Sequence, residues 1–177
     1  MEKTLVLTFI ADDRPGLVEK LSEAVTEQGG NWLESRMAHL AEKFAGIVRV
    51  EFPSDKVPAF KNALMALEET GFRITVEGAT ASAPPAGTVL SLDLVGPDHP
   101  GIVRDISRCL AERGVSVEEM KTDTREAPMG GGTLFSAQAR VRVPTSLSAE
   151  ELRHALEGLA GALMVDIALR EEALSPD

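Results

Sequence analysis

Apolar and polar residues alternate from Thr4 to Ile10, with Leu5, Leu7 and Phe9 on one side, and the alternation returns at Leu90, Leu92 and Leu94. A period of two over this length predicts a strand with one buried face. The period then becomes helical: Leu17, Val18, Leu21, Ala24 and Val25 share a face until Gly29-Gly30 stops the run. Asn31 to Leu40 and Phe44 to Phe52 read as the next two strands, joined through Ala41-Glu42-Lys43. In the latter, Val48, Val50 and Phe52 lie opposite Arg49 and Glu51. Pro53-Ser54-Asp55 reads as the start of a second helix, striped by Val57, Phe60, Leu64 and Leu67 and ended by Gly71; Phe72 to Val76 closes the unit as a strand. The order is βαββαβ. Both helices must then cover one face of an antiparallel sheet, which is the ferredoxin-like arrangement of the α+β class.

The pattern occurs twice. Gly101 follows Gly16 by 85 positions, and at that spacing Asp13/Asp98, Pro15/Pro100, Val18/Val103, Ser22/Ser107, Glu27/Glu112, Gly29/Gly114 and Glu34/Glu119 are identical. Such self-similarity marks a duplicated structural unit. The third strand of the second copy, with Phe135, Ala137, Ala139, Val141 and Val143 inward, follows its counterpart by 91 positions, so the extra residues fall in the hairpin Ala127-Pro128-Met129-Gly130-Gly131-Gly132. Pro144 to Ser148 leads into a helix carrying Leu152, Leu156 and Leu159, and Met164 to Leu169 is the last strand. Residues 1–78 therefore read as one domain and 88–172 as a second. The small-residue and proline stretch 79–87 reads as a linker, and the acidic stretch Arg170 to Asp177, with 173–177 beyond the second domain, as a frayed tail.

The most informative repeated stretch is the turn between first strand and first helix, Asp13-Arg14-Pro15-Gly16-Leu17 and Asp98-His99-Pro100-Gly101-Ile102. Asp is placed to cap the helix, Pro suits the first turn, and Gly lets the backbone approach a guest closely. A helix start with bare amides attracts anions, and a small carboxylate is a natural guest. The plainer reading, that Asp-x-Pro-Gly only starts a helix well, is weakened by its occurring twice in one context. Asn31, whose amide both donates and accepts, suits an ammonium group, although after Gly29-Gly30 it also reads as a turn residue. His99 could sense pH or touch a carboxylate; a solvated turn histidine is the commoner case.

Composition narrows the classes. At 177 residues, with 44% hydrophobic residues, two small cores are affordable, and a formal charge of −10 gives no general attraction to phosphate backbones. The one cysteine, Cys109, rules out an internal disulfide framework and reads as a small buried side chain. His39 and His154 stand without a second ligand at metal spacing, so neither a metal nor another cofactor is expected. No leader with a cleavage pattern and no membrane-spanning stretch occurs, which predicts a cytoplasmic protein.

With turn, repeat and element order in place, the chain resembles a tandem pair of ACT domains, and among these the glycine cleavage system transcriptional repressor family. The stretches that carry the resemblance are the strand with Asp-Arg-Pro-Gly, Gly30-Asn31-Trp32-Leu33-Glu34-Ser35-Arg36-Met37-Ala38-His39-Leu40, Phe44-Ala45-Gly46, and Pro128-Met129-Gly130-Gly131-Gly132 with Leu134-Phe135. The resemblance implies that an amino acid binds at a boundary between modules, between the turn of one (Arg14 to Leu17) and the second-strand Asn of a neighbour (Asn31). The second copy has Ser116 at that position, a shorter side chain without an amide. The glycine-rich hairpin would then be a lid or simply a loose connection.

A nucleophile with a base, a metal cluster and a phosphate loop are all missing from the two repeats, so the expectation is a non-enzyme. RNA-recognition modules share the element order but need exposed aromatics on the central strands. Here the outward positions are Val6, Thr8, Ile10, Ile47, Arg49 and Glu51 in copy one. In copy two they are Ser91, Asp93, Ser136, Gln138, Arg140 and Arg142. Trp32 reads as core or interface. The expectation is a sensor that binds a small amino acid, glycine among the candidates, and acts on a transcription activator without touching DNA; the alternative is a regulatory subunit giving feedback control of a metabolic enzyme. The partly apolar outer face of copy one predicts a homo-oligomer or a contact between the copies.

Overall fold

The computed structural model describes residues 1–80, 83 and 85–171. The chain divides into two units, Met1–Ala83 and Pro84–Asp177. In the first, β1 (Glu2–Asp12), α1 (Leu17–Glu27), β2 (Asn31–Leu40), β3 (Lys43–Pro53), α2 (Val57–Glu68) and β4 (Arg73–Gly78) follow one another. In the second the order repeats as β5 (Thr88–Pro97), α3 (Ile102–Ala111), β6 (Ser116–Glu126), β7 (Thr133–Val143), α4 (Ala149–Leu163) and β8 (Asp166–Glu171). The antiparallel sheets have strand orders β2-β3-β1-β4 and β6-β7-β5-β8. These are the two ferredoxin-like units that the alternation predicts.

Each core is built from the inward half of that alternation. Leu5, Leu7, Val48, Val50 and Phe52 are buried against Leu21, Val25 and Phe60 in the first unit, and Leu90, Leu92, Val141 and Val143 against Ile106, Leu152 and Leu156 in the second. Burying such a side chain contributes about 1.5–3 kcal/mol, so the pattern alone commits each strand to one orientation. Cys109 is buried as expected. All six phenylalanines and Trp32 lie in or against the cores.

Boundaries differ from the sequence reading where long-range bonds compete with local preference. Pro53-Ser54-Asp55 does not open α2: Lys56 is its N-cap, without a side-chain cap, and Pro53 ends β3. The Ser54 amide and hydroxyl both donate to the Met1 carbonyl, closing the sheet corner instead. The first hairpin turns on Ala41 and Glu42 alone, both with positive φ (47° and 62°), a two-residue connection whose twist matches the strands; Lys43 already pairs with Leu40. In the second unit Met164 is the left-handed C-cap of α4, so β8 starts at Asp166 and runs to Glu171, through the start of the stretch read as a tail. The rest of that tail, 172–177, and residues 81, 82 and 84 of the linker lie outside the described residues.

Candidate functional site

Both strand-to-helix turns have one geometry, and it differs from the expected one. Gly16 and Gly101 are themselves the N-caps, with φ of 88° and 98°, and no side chain caps either helix. A left-handed N-cap is accessible to glycine and strained for any residue with a Cβ, which is why Gly recurs. Asp13 does not cap: its carboxylate lies 3.5 Å from His39 Nε2, and its amide donates to the Glu42 carbonyl at 2.9 Å. Asp98 repeats the backbone bond, to the Thr133 carbonyl at 2.8 Å. Pro15 and Pro100 precede the caps rather than sitting in the first helical turn. The first intrahelical bonds are Lys20 N–H to Gly16 O and Asp105 N–H to Gly101 O. The amides before them are the ones a helix start offers to an anion.

The residue between Asp and Pro ties each turn to the far helix. Arg14 donates through Nη2 to the carbonyl of Thr70, beyond the end of α2. His99, half-buried rather than solvated, donates from Nε2 to the Leu163 carbonyl at the end of α4 (3.0 Å), while Nδ1 faces the Pro100 carbonyl at 3.2 Å. Only the imidazolium can donate at both nitrogens. The Leu163 carbonyl, then that of Pro100, with Asp98 and Asp105 adding charge, hold its pKa above the usual histidine value.

What surrounds the two helix starts separates them. Around the first, Asp13, Arg14, Gly16, Leu17, Glu19 and Phe44 line a shallow hollow of about 330 Å³. A Cβ on Gly16 would stand 3.6 Å from Glu19 Oε2, so a carboxylate already overhangs this start. At the second, Ile102 opens the helix and the Glu19 position is Arg104, whose Nη2 would lie 2.9 Å from a Cβ on Gly101. Arg104 bonds Asp105 through Nε (2.8 Å) and Nη2 (3.2 Å), which lowers the Asp105 pKa. A carboxylate guest meets the unpaired overhang of Glu19 at one turn; at the other it meets the Arg104 guanidinium together with the Asp105 carboxylate that guanidinium holds, whose Oδ2 would stand 3.7 Å from the same Cβ. Both residues escaped the sequence reading, because a charged side chain one turn into a helix is ordinary until its reach over the cap is known.

Asn31 and Ser116 are exposed and each begins the second strand of its unit. Asn31 pairs with Glu51, which pairs with Thr4, whereas Gly16 follows Asp12 at the other end of β1. Eight strand residues at about 3.3 Å put the ends roughly 26 Å apart. One module cannot place its own turn and its own Asn on the same small ligand; a ligand touching both must take them from different modules. Among the described residues there is no group of three or more potential metal ligands, and no helix is long and apolar enough to cross a membrane. In the long hairpin Met129 is fully exposed with φ 62°, and Ala127 N–H closes the loop onto Gly132 O at 2.7 Å. A wider concavity of about 520 Å³ lies on the open face of the second sheet, lined by Asp93, Lys121, Ser136, Gln138, Asp166 and Arg170 among others and by no residue of the second unit's turn.

Residues 3–77 match the model of the ACT domain family. Over 161 residues, 90% of this chain and 85% of the relative, the chain is 23% identical to the glycine cleavage system transcriptional repressor of Escherichia coli (strain K12). The crystal structure of an unknown protein from Galdieria sulphuraria is similar with a TM-score of 0.87 and 32% identity, covering 98% of this chain and all of that one. A crystal structure assigned to a glycine cleavage system transcriptional repressor is similar with a TM-score of 0.71 over 96% of this chain and 97% of that one; its 17% identity speaks to the fold alone.

Proposed function

We propose that the chain, whose residues 3–77 match the ACT domain family and which is similar over most of its length to the glycine cleavage system transcriptional repressor, is a tandem ACT-domain protein acting as a cytoplasmic, non-enzymatic sensor of a small amino acid, glycine foremost. Occupancy alters its affinity for a protein partner, a transcription activator, and gene output follows without direct contact to DNA. The observation that supports this most is the duplicated glycine-capped turn, which leaves the starts of α1 and α3 without a side-chain cap. Backbone amides there suit the ligand's α-carboxylate, and the Asn31 side-chain oxygen suits its ammonium. Arg104 shifts weight to the second turn, where Asp98, His99, Pro100, Gly101 and Ile102 frame the carboxylate; Ser116 offers a hydroxyl where Asn31 offers an amide. The net charge of −10 and the burial of the aromatic side chains both favour a protein partner over nucleic acid.

A sensor of this kind must bind its ligand with different affinity in the free and partner-bound states, and the partner's affinity then changes by the same factor, roughly 5- to 150-fold for ordinary couplings. Capture of partners on the immobilised chain with and without glycine tests this. Recovery of a transcription activator in an amount that glycine changes is the expected result. Recovery of a metabolic enzyme selects the alternative, feedback control by a regulatory subunit. Recovery indifferent to every amino acid would sink the sensor.

A further inference from the structure

The open face of the second sheet carries a groove bounded by charge. Val95, Ser136 and Ala168, all half-buried, form its floor, and exposed charged side chains stand along both edges. Pairing across the sheet fixes their places: Lys121, Gln138, Asp93 and Ala168 form one outward row, and Asp123, Ser136, Val95 and Asp166 the next. The rows are two residues apart on each strand, about 6.6 Å. The concavity of about 520 Å³ that takes in both rows has the size of a small-molecule site, roughly 300–1,000 Å³.

The two edges differ in sign. On β6, Lys121 and Arg125 outnumber Asp123; along β5 and β8, Asp93 and Asp166 outnumber Arg170. Internal pairing leaves that difference intact, because Asp123 Oδ1 accepts from the Thr124 amide at 2.9 Å and Arg170 pairs with Asp93 at 3.7 Å. Lys121, Arg125 and Asp166 make no ion pair among the described residues. A cation at one edge thus faces a carboxylate at the other, with the Gln138 amide, both donor and acceptor, between them. The first sheet does not repeat this. Ile47, Thr8 and Arg73 stand where the second sheet has Gln138, Asp93 and Asp166, so neither carboxylate has a counterpart.

We propose that this groove binds a small dipolar molecule of the size of an unblocked dipeptide, its carboxylate at Lys121 and its ammonium at Asp166 and Asp93. At about 4.8 Å per strand, β6 lies about 10 Å from β5 and about 14 Å from β8. With a hydrogen bond of about 2.8 Å at each end, a guest spans roughly 4–9 Å between its own charges. Successive Cα atoms about 3.8 Å apart put the termini of a dipeptide about 6 Å from each other, inside that range; the amine and carboxylate of a single α-amino acid are only about 2.5 Å apart. The peptide group crosses Gln138, which can donate to its carbonyl and accept from its N–H, and small side chains rest on Val95 and Ala168. Glycine is left to the turns, so this site and the sensor reading stand or fall separately.

Titration of the isotope-labelled full chain with alanylalanine, followed by backbone amide chemical shifts, tests the proposal. Saturable shifts are expected at Asp93, Lys121, Gln138 and Asp166 and not at Gly16 or Gly101, and excess glycine leaves them in place. Acetylating the probe removes its ammonium and amidating it removes its carboxylate; each change weakens binding about tenfold or more. Lys121→Met and Asp166→Asn, exposed changes that retain thermal melting, weaken it to the same degree, whereas Lys121→Arg keeps it. Shifts that never saturate, or that fall on the turns alone, overturn the site. Equal binding of the free, acetylated and amidated probes, or affinity unmoved by Lys121→Met and Asp166→Asn, overturns the dipolar recognition.

Discussion

Gly30 and Phe52 in the first unit correspond to Val115 and Val143 in the second, and the exchange shows how one backbone accommodates two cores. Phe52 is fully buried and stacks on Phe60 at 4.2 Å between centroids. Its ring occupies the space a Cβ on Gly30 would need, 2.2 Å from Cζ. In the second unit the ring is replaced by Val143, and Val115 is buried in the same core. Volume is conserved across the pair rather than at either position. The tie from turn to far helix shows the same exchange in charge: Arg14 is a permanent cation, whereas His99 is a cation only while protonated.

Forcing one unit to take the other's residues breaks the comparison most severely at the core. Gly30→Val is expected to cost the first unit about 3 kcal/mol or more, because the new side chain collides with a ring that has nowhere to go. Combining it with Phe52→Val recovers at least half of that loss. Urea unfolding followed by Trp32, the chain's single tryptophan, reads the first unit alone; a neutral single variant would show that the ring moves aside freely.

The second helices differ in their caps. Ser148 accepts from Glu151 N–H at 3.2 Å while the Glu151 carboxylate accepts from Ser148 N–H at 2.8 Å, a reciprocal box that Lys56 does not provide for α2. Ser148→Ala is therefore expected to cost the second unit about 1 kcal/mol. Installing Ser at Lys56 gains less, because no Glu stands three residues on: Ala59 occupies that place. Calorimetric melting resolves the two changes.

The smallest effect distinguishes the two ties by pH. The folded-state pKa of His99 is raised, so its contribution to stability is complete below the unfolded value of about 6.5 and disappears as pH rises through the folded value. Hydrogen exchange at the end of α4 should accelerate over that rise, beyond its intrinsic pH dependence, and His99→Arg, which copies the first unit, should abolish the extra acceleration.

The duplicated fold was legible because the alternation and the stripes are statements about burial, which dominates the energy of units this small. The turn was legible as a place but not in its mechanism. Asp13 carries the usual cap residue, yet the Asp13–Glu42 backbone bond and the His39 contact draw it towards the hairpin, leaving the cap position to a left-handed glycine. Ser54 was misread for a similar reason, its hydroxyl being drawn to Met1, 53 residues away in sequence. Glu19 and Arg104 could have been compared once the copies were aligned, but their proximity to the caps is a matter of side-chain reach. The separation of Asn31 from its own turn follows directly from strand order, and it makes the neighbouring module a requirement of any shared site.

Isothermal titration of the full chain with glycine and serine, repeated on Asn31→Ala, Arg104→Glu and Glu19→Arg, tests the sensor directly. The account predicts saturable binding to wild type, affinity about tenfold lower in Asn31→Ala and Arg104→Glu, and a gain in Glu19→Arg. Absence of binding by any amino acid, or affinity unmoved by all three changes, would contradict it and return both turns to the status of helix starts.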